Sequence, residues 1–127
     1  MTTPDDLERQ HTLATATARY DDLRMRDALA GMTDGGGLSR EDALELLALS
    51  EVVARKAGYG RQAMVRTARA QGASWTQIGA ALGSSKQAAW ESHNRWIDEQ
   101  GRQHDHTGYE GLDPEQVDEA RKLAGPL

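Results

Sequence analysis

Between Ala73 and Ile97 the chain reads ASWTQIGAALGSSKQAAWESHNRWI, and this run narrows the choice of folds more than any other. Ser74, with Gln77 three residues on, has the capping-box spacing that starts a helix. Trp75, Ile78 and Leu82 then fall on one face of a 3.6-residue period. Gly83 stands just past the last apolar residue, where a left-handed backbone ends a helix without a Cβ clash. Ser84 or Ser85 can cap a second helix immediately. Its expected inner side carries Ala88, Ala89, Ser92 and Trp96, with Lys86, Gln87, Trp90, Glu91, Asn94 and Arg95 elsewhere. Two helices joined by a tight glycine turn are predicted.

The flanking sequence supplies further helices. Residues Arg61 to Gln71 have Met64, Val65 and Ala68 at inward spacing, with Arg61, Arg66 and Arg69 outward and Gly72 as the stop. Added to the pair above, this gives a three-helix unit. Ahead of it, Ser39 with Asp42 restarts a helix whose Leu44, Leu47, Val53 and Ala57 lie near one face, with Leu46 and Leu49 widening it. A break or kink is expected at Gly58–Gly60. A long helix is expected from about Pro4 to Ala30, followed by a glycine-rich joint, Gly31 to Leu38. Past Ile97 the pattern fades into a polar stretch. A short amphipathic helix then starts at Asp113-Pro114 and stops at Gly125, with Val117, Ala120 and Leu123 or Ala124 inward. The expectation is an all-α helical bundle with a long N-terminal helix, a central three-helix unit and a short C-terminal helix. Its segments are 1–38, 39–99 and 100–127. No strand pattern follows Ile97 to suggest a wing.

Composition removes several classes of function. The chain has 127 residues and no cysteine, so disulfides and thiolate metal sites are out, which fits a reducing cytoplasm. MTTPDDLERQ lacks the basic and apolar regions of a signal peptide, and no apolar run is long enough for a membrane helix. No nucleophile–base pair, metal-ligand spacing or cofactor loop is visible, so neither enzyme activity, nor a cofactor, nor a metal is expected. His104 and His106 read as part of a polar linker. The net charge of −5 is unevenly spread. Residues 1–51 hold five Lys/Arg against eleven Asp/Glu, residues 52–102 eight against three, and residues 103–127 two against six. A basic middle between acidic flanks would attract a phosphate backbone at its centre.

The pattern Ile78, small Gly79, Leu82, turn Gly83, then Lys86-Gln87 and Ala88-Ala89 resembles the helix-turn-helix of bacterial and phage DNA-binding regulators. It looks like a small actinobacterial protein of that kind. Ser84 departs from the pattern, which has an aliphatic residue there. The resemblance implies that the second helix docks in the major groove of double-stranded DNA. Ser85, Lys86, Gln87, Trp90, Glu91 and Asn94 would then meet base edges. Ser74, Thr76 and Gln77, at a helix N-terminus, together with Arg66, Arg69 and Arg95, would meet phosphates. His93 would face the duplex. Trp90 is open to three roles: a thymine methyl, a dimer contact or burial within the fold. A homodimeric, sequence-specific transcriptional regulator in the cytoplasm is the function implied, with the apolar helices before the motif as the interface. Two alternatives stand beside it. One is an accessory or architectural DNA-binding protein of a phage or mobile element. The other is a protein-interaction module whose acidic flanks make the contact.

Overall fold

The computed structural model describes residues 2–32 and 36–127. Among them all regular structure is helical: α1 (Pro4–Gln10), α2 (Leu13–Leu29), a one-turn 3-10 segment (Ala30–Met32), α3 (Arg40–Tyr59), α4 (Arg61–Ala70), α5 (Trp75–Leu82), α6 (Lys86–Thr107) and α7 (Pro114–Ala124). The all-α expectation holds. No helix among these residues is long and apolar enough to cross a membrane. The chain divides into two compact units, Met1–Gly60 and Arg61–Leu127. The expected boundaries at 38/39 and 99/100 are thereby replaced: α3 shares a core with the helices before it, and residues 100–107 belong to α6.

In the first unit, the single helix expected over Pro4–Ala30 is two. Thr12 and Thr15 cap each other reciprocally, and His11 takes an extended backbone, so the chain turns between α1 and α2. α3 packs on both. Their shared core is Leu7, Ala16, Leu23, Ala48, Leu49 and Val52. Arg19 reaches Glu45 across α2 and α3 at 2.7 Å, and Arg55 reaches Asp5 of α1 at 3.0 Å. Of the expected face of α3, Leu49 is buried and Leu46 and Val53 pack against the core, whereas Leu44 and Leu47 point outward, 53% and 69% exposed. The expected joint Gly31–Leu38 includes residues 33–35, outside the described residues. The expected break at Gly58–Gly60 falls at Gly60, between α3 and α4.

In the second unit, the core comprises Val65, Trp75, Ile78, Ala89, Ile97, Ala120 and Ala124. Met64, expected inward, is 62% exposed. α6 runs straight through Gly101, whose missing Cβ admits α7: an added Cβ would lie 3.3 Å from Val117 Cγ2. At Gly111 the φ is +70° and a Cβ would overlap the Gln100 carbonyl oxygen, which accepts from Leu112 N–H at 3.1 Å. This tight return lays α7 back along α6. The last turn of α7 is then closed by its neighbours. Arg69 Nε donates to Leu123 O at 3.1 Å, Trp75 Nε1 to Ala124 O at 2.7 Å and Trp90 Nε1 to Gly125 O at 2.8 Å. Carbonyls that a helix C-terminus leaves without partners are thus satisfied by side chains from α4, α5 and α6.

Candidate nucleic-acid interface

The α5–α6 corner is built from local chemistry. Ser74 Oγ accepts from Gln77 N–H at 3.1 Å, and Gln77 Oε1 accepts from Ser74 N–H at 2.9 Å, a complete capping box. Gly83 ends α5 in the left-handed region at φ 72°. Ser84 N–H returns to Gly79 O at 2.8 Å, and Ser85 Oγ caps α6 by accepting from Ala88 N–H at 3.0 Å. Gly79 is where the two helices come closest. A Cβ there would lie 2.9 Å from Ser84 O and 3.0 Å from Lys86 N, which are backbone atoms with little room to yield. The expected need for a small residue at Gly79 is met by this contact.

This corner leaves the first two turns of α6 uncovered on one side. Ser85, Lys86, Gln87 and Glu91 are exposed, as is Arg95 one turn on. No acidic side chain lies in the first turn, so the positive end of the helix dipole stands beside Lys86 without a counter-charge there. Gln87 Nε2 donates to Glu91 Oε1 at 3.0 Å, which presents the amide and carboxylate as a pair. Arg95 Nη2 donates to Ser92 Oγ at 3.2 Å. On α5, Thr76 is exposed, while the Ser74 and Gln77 side chains are engaged in their own cap. Residues 61–95 hold five Lys/Arg and one Asp/Glu, and residues 96–127 hold three and eight. Cationic charge is therefore concentrated in the segment that contains the corner.

Other expected positions are corrected by packing. Trp90 is half-buried against the core with its N–H on Gly125 O, so burial within the fold is the alternative realised. Arg69 lies over the Trp75 ring at 5.2 Å and donates to Leu123 O and Ala73 O, which leaves it inside the fold and not on an outward face. Asn94 is half-buried, and its Nδ2 donates to Trp90 O of its own helix at 2.9 Å. Arg66 is also half-buried. His93 does not face outward. It is 1% exposed, between Trp75 and Trp96, with Nδ1–H donating to Gln62 Oε1 at 2.9 Å. Burial, and then the charges of Arg66 and Arg69, hold its pKa below the usual 6.5. The true inner stripe of α6 is Ala89, His93 and Ile97, and Ala88 is exposed.

One cation that the spacing places outward stands beside the corner. Arg61, at the start of α4, lines an open groove with Ser84, Ala88 and Ser92. No cluster of three or more metal-ligating side chains occurs among the described residues. The arrangement is suited to recognition by hydrogen bonds and charge, using an amide, a carboxylate, a hydroxyl and cations on a rigid helix. Comparisons with protein-family models, with curated proteins and with solved structures found no match to this chain.

Proposed function

We propose that the Arg61–Leu127 unit binds duplex DNA through the outer face of α6, as a sequence-specific transcriptional regulator that acts as a homodimer. One observation carries this: the close contact at Gly79 and the left-handed turn at Gly83 set α6 so that Ser85, Lys86, Gln87 and Glu91 stand clear of the fold. A helix so placed fits a major groove, where Gln87 has the paired donor and acceptor that match adenine. Lys86 suits guanine or a phosphate, and Thr76, Arg61 and Arg95 suit phosphates. Trp90 and Arg69 are left out of the proposed contact, since both are committed within the unit. One helix reads few base pairs, and a two-fold pair doubles the site.

A protein-interaction role is the alternative, favoured by Glu91 within the exposed face and by the eight acidic residues in 96–127. Selection from a random duplex library separates the two. The DNA role predicts an enriched sequence and binding that weakens steeply with salt. Gln87→Ala should then cost ~1–3 kcal/mol on the enriched site and little on random duplex. No enrichment, together with no salt-dependent binding, would leave the protein-interaction role standing.

A further inference from the structure

We propose that the outer face of α3 is a homodimer interface, in which two copies of α3 pair antiparallel about a two-fold axis between Ser50 and Glu51. The inner side of α3 is occupied by Leu49 and Val52, both fully buried. The opposite side runs from Ala43 to Gly58 and is exposed along its length. It carries Leu44 and Leu47 in its first half and Ala54, Ala57 and Gly58 in its second. Gly58 needs no close approach within the chain, since a Cβ there would meet nothing within 4 Å. Thr2 and Pro4 border an open groove on the other side of the leucines, leaving them uncovered.

The distribution of size along this face makes it complementary to itself. Under the proposed axis Leu47 lies opposite the partner's Ala54, Leu44 opposite the partner's Ala57, and Ala43 opposite the partner's Gly58. Large residues meet small ones throughout, as close packing requires. A parallel pair would set leucine on leucine at one end and leave a gap between alanines at the other. The charged side chains flanking this face are balanced within each copy: Asp42 and Glu45 pair with Arg19 of α2, and Arg55 pairs with Asp5 and Glu8 of α1 and with Glu51, so they do not oppose the pairing. A closed two-fold interface needs one patch that complements itself, and this patch does.

The inference supplies the pairing surface that a dimeric DNA binder calls for, but it is tested without DNA, so either can fail alone. Sedimentation of the full chain across a concentration series should show a reversible dimer. Leu47→Lys should give a monomer with unchanged circular dichroism, because the side chain makes no core contact. Leu47→Ala, which adds no charge, should weaken the dimer in the same direction. The chain has no cysteine, so Ser50→Cys should be joined by a short bismaleimide, and Asp21→Cys on the exposed side of α2 should not. A monomer at every concentration, a dimer that survives Leu47→Lys, or equal cross-linking of both cysteine variants would overturn the proposal.

Discussion

The imidazole of His93 sits 5.6 Å from the Trp75 ring and 5.4 Å from the Trp96 ring, centroid to centroid, and its lowered pKa ties the stability of the second unit to pH. Unfolded, the ring takes up a proton near 6.5, whereas folded it resists doing so. Its contribution is thus complete above pH 6.5 and declines as pH falls from there toward the lowered folded value. The slope cannot exceed one proton, about 1.4 kcal/mol per pH unit. Denaturant titrations followed by tryptophan emission should show the midpoint dropping over that window, and His93→Gln should flatten the drop. Glu45, held low by the Arg19 hydrogen bond, and Glu8, held low by the Tyr59 hydroxyl, act in a separate window. Their contributions are lost only as pH falls below 4.5. Placing His93 toward the duplex shifted part of the inferred inner side of α6: Ala89 is buried as expected and Trp96 packs against the core, but Ala88 is exposed, and His93 and Ile97 complete the stripe. A ring flanked by two indoles, with its one N–H bonded to Gln62, buries as an aromatic does.

Most helix starts were legible, as were the inner residues Trp75 and Ile78 of α5 and Ala120 and Ala124 of α7. The start of α2 at Thr12 and much of the faces of α3 and α6 were not, for a physical reason. A cap is a bond between neighbours in the chain, so Ser39, Ser74, Ser85 and Asp113 all cap as their spacing implies. A buried face depends on what packs against it. In α3 the stripe through Ala48, Leu49 and Val52 meets α1 and α2, while the equally periodic Leu44 and Leu47 stay largely exposed. The polar stretch past Ile97 misled in another way: α6 continues through it to Thr107, and Gly101 is a point where α7 comes close to α6. Nothing local marks the role of α7 either, since its last carbonyls take hydrogen bonds from Arg69, Trp75 and Trp90, far back in the sequence. Ending the chain before Asp113 should therefore strand three donors and uncover Ile97 and Val65 at once. Loss of all three with the α7 packing should unfold the second unit. Tryptophan emission should shift to the red while helical dichroism from α1–α3 remains, and unshifted emission would show α7 to be dispensable.

The two units carry separate cores, and their spectroscopic labels are separate too. All three tryptophans lie in Arg61–Leu127, so their emission reports that unit alone, whereas far-ultraviolet dichroism reports both. The cores differ in strength. The first holds three large aliphatics at full burial, Leu23, Leu49 and Val52, with no tryptophan, in about sixty residues, a size at which burial is marginal. Pairing through α3 would add the apolar surface of Leu44 and Leu47 to that unit and to no other. Association stabilises only what it binds, and does so by mass action. Unfolding by heat should thus reveal a dichroism component whose midpoint rises with protein concentration, as the tryptophan midpoint stays fixed. Leu47→Lys should abolish the rise. A tryptophan midpoint that climbed with concentration would mean that dimerisation lies in the Arg61–Leu127 unit, and that α3 is not where the copies meet.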